Sequence, residues 1–160
     1  MLRFTQKLLK DMKVAPNELE GIPDFFSWHV NIMQLRKKYI LFVHDASRLC
    51  IVLEGIRSNQ SAKLIEQFRA ELKQYLLYEG IQKRFINQYL LEAGEIVIAR
   101  TNSRSVLGTM NEIAFSCSVI ERDFSSLMER EKWLNSLIYK PINYEEPIDV
   151  FKQSLSSYYS

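Results

Sequence analysis

Apolar and polar residues alternate along positions 26–33, which predicts a strand with one apolar and one partly polar face. The apolar face carries Phe26, Trp28, Val30 and Ile32, and the partly polar face carries Ser27, His29, Asn31 and Met33. After a charged turn at 36–38, the apolar run 39–43 is typical of a central strand that is covered on both faces. The turn 44–47 leads into a third strand over 48–53. Three consecutive strands joined by tight turns predict an antiparallel meander.

Helical spacing of apolar residues replaces alternation after the meander. Over 60–79, one helix face carries Leu64, Ile65, Phe68, Leu72, Tyr75 and Leu76. Gly80 ends that helix, and a second helix follows and ends at Gly94. At the beginning of the chain, a short strand over 2–4 precedes a helix that is capped by Thr5.

A strand followed by a helix is predicted again in the second half of the chain. The strand covers 95–100, and the helix begins near Ser103, runs to about Arg122 and restarts after Asp123. The fold class is therefore α+β: a three-stranded antiparallel meander, extended by one or two further strands and packed against about five helices. A single domain is expected over 1–140, with a C-terminal tail over 141–160.

Composition narrows the class of protein without identifying an activity. The chain has 160 residues, 47% of them hydrophobic, which fits one soluble domain with a core of its own. Its net charge of +2 is too small to indicate a nucleic-acid protein. Cys50 and Cys117 are far apart and lie in apolar surroundings, so we expect small core residues in a reducing compartment. Without a signal-peptide pattern or a membrane-length apolar window, we expect a cytoplasmic protein with no membrane contact.

Polar residues on otherwise apolar elements are the candidates for chemistry. The predicted ligand-binding residues are His29, Asn31, His44, Asp45, Arg48, Ser103, Arg104, Ser105 and Asn111. His29 and Asn31 share a strand face, because alternate residues point the same way. His44 and Asp45 lie at the end of the next strand, and Arg48 begins the third strand. An equally simple interpretation is structural, because buried His and Asn side chains hydrogen-bond to backbone and Asp and Ser favour turns.

The start of the helix at 103 is the sharpest candidate. Free N–H groups and the helix dipole, with Arg104 between Ser103 and Ser105, suit a carboxylate or phosphate oxygen. The alternative is that Arg104 packs its stem on the sheet and pairs with a nearby acid. Asn111 lies seven residues after Arg104, on the same helix face.

Signatures of known catalytic and metal sites are missing from the sequence. Neither HExxH nor paired-cysteine spacing occurs, and five glycines do not form a phosphate-binding loop. We therefore expect no metal and no cofactor.

Four motifs together resemble a family of bacterial proteins of unknown function. They begin at Phe4, Trp28, Phe42 and Thr101 and read FTQKLL, WHVN, FVHDASR and TNSRSVLGTMN. The resemblance covers roughly residues 2–125 and leaves the chain after Lys140 unmatched. It implies no known activity, substrate or cofactor.

Three functions remain open from the sequence. The first is a non-catalytic binding or regulatory module that holds an anionic ligand or a partner protein. The second is an enzyme for a phosphate-bearing substrate, such as a phosphodiesterase or nuclease, with His29 or His44 as acid–base group and Arg48 and Arg104 on phosphate. The third is nucleic-acid binding through 36–38 and 83–84, for which a charged hairpin tip is the structural alternative.

Overall fold

The computed structural model describes residues 1–119 and 124–159, in which a five-stranded sheet carries helices on both faces. The strands are β1 (Leu2–Phe4), β2 (Trp28–Gln34), β3 (Lys38–His44), β4 (Cys50–Glu54) and β5 (Ile98–Arg100). The helices are α1 (Gln6–Met12), α2 (Ser61–Tyr78), α3 (Lys83–Ala93), α4 (Arg104–Val119), α5 (Leu127–Leu134) and α6 (Pro147–Tyr159). The predicted α+β class is confirmed. The extension of α4 to Arg122 and the break at Asp123 lie outside the described residues.

The sheet is built on the predicted meander. β2, β3 and β4 are antiparallel neighbours, with Trp28 opposite His44 and Phe42 opposite Ile51. The two further strands join in parallel rather than antiparallel, because β1 pairs with β2 and β5 pairs with the free edge of β1. The resulting order is β4-β3-β2-β1-β5.

One face of the sheet, here called the α2 face, is covered by α1, α2, α3 and α6. Its buried strand residues are Leu2, Phe4, Trp28, Val30, Ile40, Phe42, Ile51 and Leu53. Aromatic contacts dominate here: the ring of Phe68 on α2 stacks on Phe42 and meets Trp28 edge-on. The Trp28 side of β2 thus packs under α2.

The opposite face, here called the α4 face, is covered by α4 and α5. Its buried strand residues are Met33, Leu41, Val43, Cys50 and Val52. Val106, Met110 and Ile113 of α4 pack against them. The polar side of β2, which carries His29, is therefore buried under a helix rather than exposed to solvent.

The outer edge of β4 is closed by side chains instead of another strand. The amide of Asn135 accepts from the Cys50 N–H at 2.7 Å and donates to the Cys50 carbonyl at 2.9 Å. The Val52 N–H donates to Glu131 Oε2 at 2.8 Å. These bonds satisfy edge groups that would otherwise be buried without partners.

The end of the chain differs from the predicted tail. Residues 147–159 form α6, and its Ile148, Phe151 and Leu155 are buried with the α2 face. Pro147 is the first residue of α6, a position where proline is favoured because its missing N–H has no helical partner anyway. In the described ranges, no helix has both the length and the apolar character to cross a bilayer.

Candidate functional site

The turn between β3 and β4 places Arg48 in an unusual backbone conformation. Its φ is +63°, in the left-handed region that few residues other than glycine adopt. The Arg48 N–H donates to the His44 carbonyl at 2.8 Å, and the His44 N–H donates to the Leu49 carbonyl at 2.8 Å. The tight turn directs the arginine side chain back over the turn itself, because its Nη1 donates to the carbonyl oxygen of Asp45.

Arg48 also joins this turn to α4. Its Nε donates to Thr109 Oγ1 at 3.2 Å and its Nη2 donates to Ser105 Oγ at 2.7 Å. Burial lowers the pKa of Arg48 from its ordinary value, and the nearby Asp45 carboxylate opposes that shift. All three nitrogens of one buried guanidinium are thus hydrogen-bonded, one to the turn and two to α4.

His29 is held in one tautomer by two hydrogen bonds. Its Nδ1 lies 2.7 Å from Asp45 Oδ1, and its Nε2 accepts from the Asn102 N–H at 3.2 Å. Because Nε2 must offer a lone pair to that N–H, the ring proton sits on Nδ1 and is donated to the carboxylate. His29 is fully buried. It fixes the connection between β5 and α4, and neither ring nitrogen faces solvent.

The first turn of α4 is fixed by a capping hydrogen bond, and among the described residues it carries one unpaired charge, that of Arg104. Ser103 Oγ accepts from the Val106 N–H at 3.2 Å, which makes Ser103 the N-cap. Arg104 is exposed, and in the described part of the chain its guanidinium has no hydrogen bond or ion pair. The N–H groups of Arg104 and Ser105 have no acceptor there either, as expected at a helix start. The alternative pairing of Arg104 with an acid is not seen among these residues.

The remaining predicted residues do not join this group. His44 projects to the α2 face, where its Nε2 donates to the Phe25 carbonyl at 2.8 Å and its Nδ1 accepts from Ser47. Burial lowers the pKa of His44 to about 4, so the ring is neutral at pH 7. Asn31 accepts from the Thr5 hydroxyl at 2.6 Å, and Asn111 is exposed on α4.

The structure therefore links four of the nine predicted residues by hydrogen bonds: His29, Asp45, Arg48 and Ser105. Ser103 and Arg104 lie next to Ser105 at the start of α4. Thr109 belongs to the same network and was missed by the sequence analysis. Its signal was available, because Ser105 and Thr109 are four residues apart on one face of α4. In the described ranges, no cluster of three or more His, Cys, Asp or Glu side chains has an arrangement suited to a metal ion.

The geometry defines an α+β domain in which most of the predicted polar residues hydrogen-bond to one another or to the backbone. Arg104 is an exception, because its guanidinium is exposed. The chain belongs to the DUF6933 family, a domain of unknown function, which it matches over residues 1–150. This match extends beyond the residues that carry the four motifs and includes the first turn of α6. No curated protein and no solved structure is found to match the chain.

Proposed function

We propose that this domain is a non-catalytic binding module that holds an anionic group at the first turn of α4. The anion comes from a small ligand or from an acidic side chain of a partner protein. The observation that carries the proposal is the exposed, unpartnered guanidinium of Arg104 beside the free N–H groups of residues 104 and 105. Charge-assisted hydrogen bonds from such donors are among the stronger ones in proteins.

Rigidity of this turn supports the proposal. Ser103 caps the helix, while Ser105 is bound by Arg48 and Asn102 is bound by His29. Since the surrounding backbone is already ordered, an incoming anion would not have to order it, which lowers the entropic cost of binding.

The phosphoesterase alternative requires an acid–base group that reaches a substrate. Both nitrogens of His29 and both nitrogens of His44 are hydrogen-bonded inside the protein, and both rings are fully buried. The arrangement therefore favours a structural role for the two histidines over an acid–base role.

The nucleic-acid alternative relies on the cations at 36–38 and 83–84, some of which already contact other side chains. Lys38 pairs with Asp11 at 2.7 Å, and the Arg84 guanidinium lies over the ring of Phe85 at 4.6 Å. Arg36 and Lys37 remain exposed at the hairpin tip, which fits a charged turn that protects the sheet edge.

Thermal unfolding in the presence of sulfate or phosphate tests the proposal. The melting temperature of the parent should rise with either anion, because binding to the folded state stabilises it. Arg104→Ala should lose most of this rise, since one charge-assisted contact changes affinity about tenfold. Arg36→Ala, which removes an exposed arginine elsewhere, is the matched control and should behave like the parent.

Chloride at equal ionic strength separates specific binding from general salt effects. If sulfate raises the melting temperature of Arg104→Ala and of the parent by the same amount, Arg104 is not the anion-binding residue and the proposal fails.

A further inference from the structure

Two parallel strands end side by side in a topology that favours ligand binding. β1 ends at Phe4 and β5 ends at Arg100, and these two residues are paired across the sheet. The chain leaves β1 into α1, which packs on the α2 face, whereas it leaves β5 into α4, which packs on the α4 face. Adjacent parallel strands whose connections go to opposite faces leave a crevice beyond their carboxyl ends, and ligands bind there in many open sheets.

An open crevice of about 610 Å³ lies at this point. Phe4 and Arg100 line it from the strand ends, and α1 contributes Leu9 and Lys10. Val14, from the loop after α1, also lines it. The main chain of that loop is fixed to the sheet, because the Asn17 N–H donates to the Ile98 carbonyl at 2.8 Å. The volume falls in the range of small-molecule sites, which is about 300–1,000 Å³.

The lining of the crevice combines apolar walls with positive charge. Leu9 and Val14 are half-buried and leave apolar surface towards the opening. Lys10 and Arg100 are exposed, and the described residues that line the crevice include no carboxylate. Neither cation has a side-chain hydrogen bond or ion pair in the described part of the chain. Two unpaired cations beside an apolar wall complement a molecule that carries both an anionic head and an apolar body.

We propose that this crevice binds a small organic acid with an apolar body, its acid group held by Lys10 and Arg100. The site differs from the anion site on α4, because Arg104 does not line the crevice. The apolar body of the ligand lies against Leu9 and Val14. A bare inorganic anion lacks that body and binds the crevice weakly.

Fluorescence titration with anilinonaphthalene sulfonate, which has an aromatic body and one anionic group, tests the site. Lys10→Glu and Arg100→Glu should each weaken binding about tenfold, because each removes a charge-assisted contact and adds repulsion. Lys13→Glu reverses an exposed charge on the same segment outside the lining, and it should leave affinity within about twofold of the parent. All three substituted positions are solvent-exposed, so the variants should fold, which circular dichroism checks.

Competition distinguishes the two parts of the ligand. Octanoate should displace the probe, whereas octanol, with the same chain length and no charge, should displace it at least about tenfold less well. Val14→Trp, which fills the apolar wall, should weaken binding of both the probe and octanoate. The Arg104→Ala variant should bind the probe as the parent does, so this proposal and the α4 anion site can fail separately.

Three results would overturn the inference. These are an unchanged probe affinity in both Lys10→Glu and Arg100→Glu, equal displacement by octanol and octanoate, and equal losses in Lys13→Glu and Lys10→Glu. The last result would indicate general electrostatic attraction rather than a site.

Discussion

Each face of the sheet buries one histidine completely, and the two rings are held in different ways. On the α2 face, His44 sits among the rings of Trp28 and Phe151 and bonds only to neutral groups. On the α4 face, His29 bonds to the carboxylate of Asp45, which also lies beside the buried Arg48. The α2 face is held mainly by apolar packing, whereas the α4 face adds polar and charged contacts with α4 and α5 to its apolar cluster.

The two kinds of contact have different effects on the fold: apolar contacts mainly add stability, and polar contacts mainly fix the positions of the helices. Apolar contacts on the α2 face are non-directional and scale with the area they bury. The contacts of Arg48, Glu131 and Asn135 are directional, so they position α4 and α5 over the strands. Their net contribution to stability is modest, but breaking one partner leaves a buried polar group unpaired.

The largest expected effect comes from the aromatic packing on the α2 face. Trp28 is 2% exposed and donates to the Tyr89 hydroxyl at 3.1 Å. Trp28→Ala should lower the free energy of unfolding by about 3–5 kcal/mol, as large-to-small core changes do. Trp133→Ala, at a half-buried position packed against the other face, should cost about 1–2 kcal/mol. Urea denaturation measures both, and a Trp28 variant within about 1 kcal/mol of the parent would refute the comparison.

Acidification should weaken the α2 face through His44. Its pKa is lowered from 6.5 to about 4 by burial, so the unfolded chain binds a proton in this window and the folded chain does not. The contribution of His44 to stability is therefore fully present above pH 6.5, and about 3 kcal/mol of it should be lost as the pH drops to 4. His44→Gln has no group that titrates here. Denaturation midpoints from pH 7.5 to 4.5 should show a smaller loss in the variant, and identical slopes would contradict the prediction.

Glu131 should give the opposite pH dependence on the α4 face. Burial raises its pKa from 4.5 to about 11, and the neighbouring Glu71 carboxyl adds to the shift. The folded state keeps a proton that the unfolded state loses, so this contribution to stability is complete below pH 4.5 and decreases as the pH rises. Glu131→Gln keeps a similar shape without that proton.

The Glu131→Gln variant should therefore be more stable than the parent by about 2–4 kcal/mol at pH 8, with the difference shrinking towards pH 4.5. Glu112→Gln, at an exposed position on α4, controls for removal of a carboxylate. A Glu131→Gln variant that is less stable than the parent at pH 8 would show that the carboxylate is ionised in the folded protein.

Charge removal at the turn should reveal how much the network depends on Asp45. Asp45→Asn leaves the buried Arg48 without its nearby carboxylate and should cost about 2–3 kcal/mol. The matched control is Asp11→Asn, which breaks a partly exposed pair with Lys38 and should cost less than about 1 kcal/mol. Chemical denaturation at pH 7 compares them, and equal costs would mean that the Asp45 network behaves like a surface ion pair.

The smallest effect is expected from one hydroxyl on α4. Thr109→Val keeps the shape of the side chain but leaves Arg48 Nε without its acceptor, which should cost about 1 kcal/mol. Thr101→Val is the control, because the described structure gives the Thr101 hydroxyl no hydrogen bond. A Thr109 variant as stable as the Thr101 variant would show that this contact contributes nothing.

The sequence predicted most residues of the site as separate motifs, but it did not predict which of these residues contact one another. The turn at 44–47 and the helix start near Ser103 follow from local preferences of Asp and Ser for turns and helix starts. The sequence analysis placed His44 and His29 in one predicted site, but they lie on opposite faces of the sheet. Trp28 pairs with His44, so the Trp28 and His44 side chains share one face and the His29 side chain lies on the other. That pairing is a register, and a shift of one residue would exchange the faces.

The sequence by itself determined the elements, since alternation and helical spacing reflect which residues must leave water along one strand or helix. It did not determine which polar groups meet across elements. Arg48 reaches Thr109 over 61 positions and Glu131 reaches Val52 over 79. It also left undecided that α6 packs into the core and that β1 and β5 end at a common crevice. Such contacts depend on how helices cross the sheet, and that is decided only when all the apolar faces are buried together.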